Sequence, residues 1–296
     1  MALTIKPLHP LFAAEVSGID LKRPVDPAAF REVIAAMDRY GVCVYRGQNL
    51  PDEPHIAFSR LFGTLELRPT VRKAAKHLRF NHPELFDAGN IDIDGNILPE
   101  DDLQRAYSRG NKLWHTDSSH RQTRAAYSLL NAHIVPPEGA DTEFADMRVA
   151  YDRLPETMKA RIDKLVCVHD VWYSRMLGGY PEPTAEERKV RPPCYHRLVQ
   201  YHHGSARKTL YLASHASHIQ GMPVEEGRAL LKQLIQMATP PEAIYRHKWQ
   251  TGDLVVWDNT CTMHRATDFP DFTYKRDLRR TTVEEAPEAA RLAIAS

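Results

Sequence analysis

His115 and Asp117, in the stretch Trp114-His115-Thr116-Asp117, have their natural third partner in His264, nearly half the chain later. In a strand, residues i and i+2 point to one face, so His115 and Asp117 can reach a single point together. His264 follows another apolar strand pattern, Leu254-Val255-Val256-Trp257. Bringing a residue from so distant a strand to the same point is what the mouth of a barrel requires.

The remaining pattern supports a strand-built core. Strands are expected at 42–45, 113–117, 126–134, 141–145, 197–201, 209–214, 243–248, 253–258, 261–265 and 274–283. Asp26-Pro27 opens a helix with an acidic N-cap and Pro at its first position, and Gly41 closes it. Further helices are expected over 52–62, 146–164 and from Pro223 to about Met237, the last with Leu230, Leu231, Leu234 and Ile235 on one face. The tail from Glu284 reads as a frayed helix. The fold class is therefore mainly β with flanking helices, a closed or double-sheet core. No Gly/Ser/Pro linker divides the 296 residues, so one domain over 1–296 is expected. Residues 65–110 are polar and irregular, a long loop of the kind that often serves as a lid.

Composition excludes several classes. Thirty-nine basic residues face 38 acidic ones, a net charge of +1. That balance argues against a nucleic-acid or anionic-membrane binder. No apolar run is long enough to span a bilayer, and the N-terminus lacks the pattern of a signal peptide. Cys43, Cys167, Cys194 and Cys261 show no zinc-type spacing and fit a reducing cytoplasm.

Two imidazoles and a carboxylate on one face of a metal leave the opposite positions open, the arrangement used by non-haem Fe(II) oxygenases. A lone HxD is weak evidence, since a His and an Asp can simply hydrogen-bond at a strand end. The order of further motifs is stronger. Thr142 stands 25 positions after Asp117, and Arg276 stands 12 after His264, within Lys275-Arg276-Asp277-Leu278-Arg279-Arg280. With Leu113-Trp-His-Thr-Asp-Ser-Ser, Thr142-Glu-Phe-Ala-Asp-Met-Arg and Ser214-His-Ala-Ser-His, the chain resembles the taurine/2,4-dichlorophenoxyacetate dioxygenase family from about Leu3 to Val283. The phenoxyacetate-degrading branch is the nearer.

The resemblance implies a double-stranded β-helix, or jelly roll. It implies Fe(II) held by His115, Asp117 and His264, with 2-oxoglutarate and O2 as cosubstrates. Arg276 and Thr142 would hold the distal carboxylate of 2-oxoglutarate, a task for which the planar fork of Arg is suited. Arg280, sharing a face with Arg276 in a regular strand, would take the anionic group of a small-molecule substrate. Asn111, His215 and His218 match substrate-contacting positions. Lys275 and Arg279 read as a solvated basic strand end, and which Arg of 276, 279 and 280 meets which carboxylate is open by a residue. Trp257 reads as core packing, and Asp258 and Asn259 as shaping the turn to His264. A homo-oligomer is implied as well.

The reaction implied is hydroxylation of an aryloxyalkanoate beside its ether oxygen, giving a phenol and glyoxylate with succinate and CO2. The same chemistry on taurine, an alkyl sulfonate or another aryl carboxylate is the alternative. A non-catalytic jelly-roll binding protein would not need Thr142 and Arg276 beside a full triad. A zinc hydrolase could use the same ligands, but no general base accompanies them in sequence.

Overall fold

The computed structural model describes residues 3–68 and 79–286. The chain begins with strands β1 (Thr4–Pro7) and β2 (Ala14–Ser17), followed by helix α1 (Pro27–Tyr40). Asp26 caps α1 by accepting from the amides of Ala28 and Ala29, and Gly41 ends it with φ 67°, its N–H on Met37 O. Only a residue without Cβ enters that left-handed conformation at no cost. Strand β3 (Val42–Tyr45) and helix α2 (Asp52–Arg60) follow.

The expected irregular loop at 65–110 contains short elements. These are strand β4 (Phe86–Asp87), helix α3 (Leu103–Ser108) and a 3-10 turn over Arg109–Lys112. Elements this short leave no legible period. Residues 69–78 of that loop lie outside the described residues, as does the expected tail helix from 287.

Strands β5 (Ala125–Ile134) and β6 (Thr142–Asp146) lead to α4 (Met147–Asp152) and α5 (Glu156–Ile162). The single helix expected over 146–164 is thus two, because Pro155 starts a new one. Next come β7 (Val166–His169), α6 (Val171–Leu177), α7 (Ala185–Val190), β8 (Cys194–Arg197), β9 (Val199–His202), β10 (Arg207–Leu210) and β11 (Ala216–Ile219). The chain then forms α8 (Val224–Ala238), β12 (Ile244–His247), β13 (Leu254–Asp258), β14 (Thr262–Ala266) and β15 (Asp277–Glu284). No helix of the described residues is long and apolar enough to cross a membrane.

Seven strands form the large sheet, in the order β1-β2-β3-β13-β5-β15-β4, and β12-β6-β14 form a smaller one. Strands β11-β7-β8 and β9-β10 make two further small sheets. Strand β13 shows why the apolar run at 254–257 does not alternate. Leu254 and Val256 pack with Val33, Met37 and Phe58 of α1 and α2. Val255 and Trp257 face the other way, toward Phe144 and Tyr245 of the smaller sheet. A strand buried on both faces is apolar throughout. Beyond the smaller sheet, Ala145 and Met263 meet Met147, Leu230, Leu231 and Leu234 of α4 and α8. The result is helices, sheet, sheet, helices, with a layer of aromatic residues between the two sheets.

Arg148 ties these layers together. It is fully buried, pairs with Asp146 at 2.6 Å, and donates to the carbonyls of Asp38 at 2.5 Å and Arg39 at 3.3 Å. Arg148→Ala strands a buried carboxylate. A loss of about 3–5 kcal/mol is expected, read as a lower urea midpoint at unchanged slope.

Candidate metal centre

The two histidines arrive as a cross-strand pair. His115 N–H donates to His264 O and His264 N–H to His115 O, both at 2.9 Å. This antiparallel bridge sets the rings on one side with centroids 4.2 Å apart. The strand expected over 113–117 reduces to that bridge: from Asp117 the chain enters a turn, with Ser118 at φ 52°. Asp117 therefore reaches the histidines by its turn and not by strand alternation. Its N–H is held by Asn259 Oδ1 at 3.2 Å.

His115 Nε2 lies 3.9 Å from Asp117 Oδ1, and His264 Nε2 lies 3.7 Å from Asp117 Oδ2. All three residues are buried, and their ligand atoms fall within 4.8 Å of one another. His115 Nδ1 sits 2.8 Å from Leu113 O. A carbonyl can only accept, so Nδ1 carries the proton and Nε2 keeps its lone pair for the shared point. Burial pushes His115 down and His264 well down from the ordinary imidazole range, which keeps both neutral. For Asp117, burial acts to raise the pKa, but the Arg280 guanidinium foremost, with the Ser128 hydroxyl, opposes it and the carboxyl lies well below its usual range. Two neutral imidazoles and a carboxylate suit a divalent metal of the iron or zinc type.

Supporting contacts fix this set. Ser128 Oγ donates to Asp117 Oδ2 at 2.9 Å and receives Asn259 Nδ2 at 2.9 Å. Asn259 Oδ1 also receives Trp257 Nε1 at 3.1 Å. Trp257 packs on His264 with centroids 4.7 Å apart, so it is core that also orients a ligand. Asp258 anchors the turn, accepting from Thr260 N at 2.7 Å and Thr260 Oγ1 at 2.6 Å. Asp258 also pairs with His202 Nε2 at 2.9 Å. That hydrogen bond accounts for a second cluster of ligand-type side chains, His202, Asp258 and Cys261.

The arginines divide differently from expectation. Arg279 is not a solvated strand end. It donates to both oxygens of Asp52 at 2.8 Å and to Asp277 at 3.1 Å, fastening α2 to β15. Arg280 faces the metal cluster, where its Nη1 donates to Asp117 Oδ1 and its buried Nε has no hydrogen-bond partner among the described residues. Arg276 precedes β15, beside an irregular pairing where β5 holds one extra residue. Its amide donates to Asn90 Oδ1 at 2.7 Å and its Nη1 to Ala88 O. Among the described residues no carboxylate pairs with the Arg276 side chain, and burial pushes its pKa down to about 10.

Thr142 is buried, and its Oγ1 receives Trp249 Nε1–H at 3.0 Å. His215 stands edge-on to His115, centroids 6.2 Å apart, with Nδ1 on Ser174 Oγ at 2.6 Å. Asn111 Oδ1 receives Arg175 Nη1 at 3.0 Å. His218 pairs with the neighbouring Ser217 hydroxyl at 2.9 Å, and no ring contact of it with the cluster is found among the described residues. Sequence reasoning missed Ser128, Arg175 and Trp249. Nothing local marks them, because each acts on a residue of another element.

The family model described as taurine catabolism dioxygenase TauD, TfdA family matches residues 4–282. The chain is 43% identical over 287 residues to an alpha-ketoglutarate-dependent 2,4-dichlorophenoxyacetate dioxygenase of Cupriavidus pinatubonensis, covering 97% of this chain and 99% of that protein. It is 35% identical to an (S)-phenoxypropionate/alpha-ketoglutarate-dioxygenase of Sphingobium herbicidovorans, covering 97% and 96%. A crystal structure of AAD-2 in complex with Mn(II) and N-oxalylglycine superposes with a TM-score of 0.89 at 43% identity, covering 97% of this chain and 98% of that one.

Proposed function

The chain belongs to the TauD, TfdA family of dioxygenases, and from that premise we propose that it is an Fe(II)- and 2-oxoglutarate-dependent dioxygenase acting on an aryloxyalkanoate such as 2,4-dichlorophenoxyacetate. The observation that carries the chemistry is the convergence of His115, Asp117 and His264. The substrate class rests on the near full-length likeness to the 2,4-dichlorophenoxyacetate dioxygenase. In this reading residues 1–296 form one domain. The two opposed sheets, β1-β2-β3-β13-β5-β15-β4 and β12-β6-β14, are the sides of a double-stranded β-helix. Four free buried cysteines accord with a cytoplasmic protein, and the family resemblance with a homo-oligomer.

With Fe(II) bound, the site supplies oxidative decarboxylation of 2-oxoglutarate to succinate and CO2, coupled to insertion of one oxygen atom from O2 into a substrate C–H bond. The protein's part is placement. The His115 and His264 imidazoles and the Asp117 carboxylate hold the metal. Arg276 offers a guanidinium that bonds no carboxylate among the described residues to the distal carboxylate of 2-oxoglutarate, and the Thr142 hydroxyl adds a donor. The carboxylate of an aryloxyacetate is one bond from the carbon to be oxidised, so its receptor must stand beside the metal. Arg280, touching Asp117, stands there. His215, whose ring stands beside that of His115, is assigned to the substrate pocket, and Asn111 and His218 are assigned to it by resemblance. Hydroxylation beside the ether oxygen gives a hemiacetal. Its hydroxyl proton passes to the departing phenoxide as the C–O bond breaks, leaving glyoxylate.

Anaerobic loading with Fe(II) and 2-oxoglutarate, then air with 2,4-dichlorophenoxyacetate or with taurine, tests the reading. Equal amounts of phenol and succinate with the first are expected. Succinate coupled to taurine alone overturns the substrate class and keeps the chemistry. Arg280→Gln should raise KM for the aryloxyacetate about tenfold or more, the size of one lost charge-assisted hydrogen bond, while leaving KM for 2-oxoglutarate within about twofold.

A further inference from the structure

We propose that Trp249 is a positioning residue of the cosubstrate subsite, acting by fixing the direction in which the Thr142 hydroxyl donates. The inference rests on the cosubstrate reading of Thr142 given above.

Indole nitrogen carries a proton and no available lone pair, so Trp249 Nε1 can only donate. At 3.0 Å its acceptor is Thr142 Oγ1, and both side chains are buried. A hydroxyl that receives at its oxygen has its own hydrogen left to give elsewhere. Without the indole, that hydroxyl could rotate and present a lone pair to an incoming carboxylate. With it, one lone pair of the oxygen is taken and the O–H must point away from the indole, where it is left to donate. The subsite then opposes a carboxylate with two donors of fixed sense, the Arg276 guanidinium and the Thr142 O–H.

Trp249 is itself held in place. Its ring meets the His247 ring edge-on at 4.5 Å between centroids. His247 is the cross-strand partner of Thr142 in the β12–β6 pairing. On its far side His247 lies 3.2 Å from Asp253, which also receives Gln250 N–H at 2.9 Å. The indole is therefore carried by the loop after β12 and braced against the residue opposite the one it orients. A hydrogen bond set before the ligand arrives costs no reorganisation when it does.

The test compares two keto acids on the Mn(II)-loaded protein under anaerobic conditions, by calorimetric titration. 2-Oxoglutarate has the distal carboxylate; 2-oxobutyrate has the same chelating head without it. Trp249→Phe should weaken 2-oxoglutarate about tenfold, the scale of one hydrogen bond, and leave 2-oxobutyrate unchanged. Thr142→Val should lose a similar factor, and the double variant no more than the larger single loss. Equal weakening of both acids would mean that the indole only shapes the site, and unchanged 2-oxoglutarate affinity would mean that it does nothing there. Either result overturns the proposal. A Thr142→Val protein that binds 2-oxoglutarate normally overturns the cosubstrate reading of Thr142 and this inference with it. Loss through Thr142→Val alone overturns only the inference. Mn(II) affinity and the thermal midpoint of each variant confirm that the fold and the metal centre survive.

Discussion

His115→Ala and Asp117→Ala proteins each lose more than about a hundred-fold in metal affinity, beyond what loss of a supporting residue costs, and with it turnover. The two differ in the metal-free state. His115 contributes backbone bonds to the bridge with His264, and these survive in alanine. Its side chain gives up one bond to Leu113 O. Asp117, in contrast, is the acceptor for Arg280 and Ser128. Removing its carboxylate leaves a guanidinium that is largely enclosed, its side chain 22% exposed, without its partner. The metal-free Asp117→Ala protein should therefore be less stable by about 1–3 kcal/mol, the worth of a hydrogen bond to a charged group, while His115→Ala stays near the parent. Metal content by elemental analysis and thermal midpoints with and without Fe(II) decide this. Retained stoichiometric metal in either variant would remove the triad assignment. Equal midpoints of the two metal-free variants would mean that the Arg280 contact contributes nothing.

The parts of this site legible in sequence are those where one short stretch states its own chemistry. HxD shows two ligands, and the apolar run Leu254–Trp257 shows that His264 follows a buried strand. Asp26-Pro27 and Gly41 mark both ends of α1 because capping is local. What could not be read depends on which residues meet across strands. The strand expected over 113–117 is a two-bond bridge and a turn, so the spacing was informative for a reason other than strand alternation. Helices α6 and α7 hide in the Pro- and Tyr-rich stretch at 171–195, since seven and six residues are too few to show a period. Arg279 looks solvated in sequence because its partner Asp52 lies on α2, far away along the chain. The same blindness covers Ser128, Arg175 and Trp249. Each is an ordinary residue until the fold sets it beside Asp117, Asn111 or Thr142.

Arg276→Met should separate stability from function. A buried guanidinium that bonds no carboxylate among the described residues is a cost to the folded state, one that Asp87, acting only at a distance, reduces without cancelling. Its Nη1 donates to Ala88 O, a neutral acceptor that does not balance the charge. Burial has already pushed its pKa down to about 10, which is the same cost seen from the proton's side. Methionine fills much of the same volume and carries no charge, so the metal-free variant is expected to match or exceed the parent in stability, by up to about 2 kcal/mol. Cosubstrate binding shows the opposite. Removing one partner of a buried, hydrogen-bonded charge pair costs about 2–5 kcal/mol, so KM for 2-oxoglutarate should rise by about 30-fold to several thousand-fold. Saturating 2-oxoglutarate raises the melting temperature of the parent in proportion to the logarithm of its concentration, and the variant should show little such rise. A variant that is both less stable and unimpaired in 2-oxoglutarate affinity would mean that Arg276 is a structural cation. The distal carboxylate must then meet another arginine, of which Arg280 is the one already facing the metal.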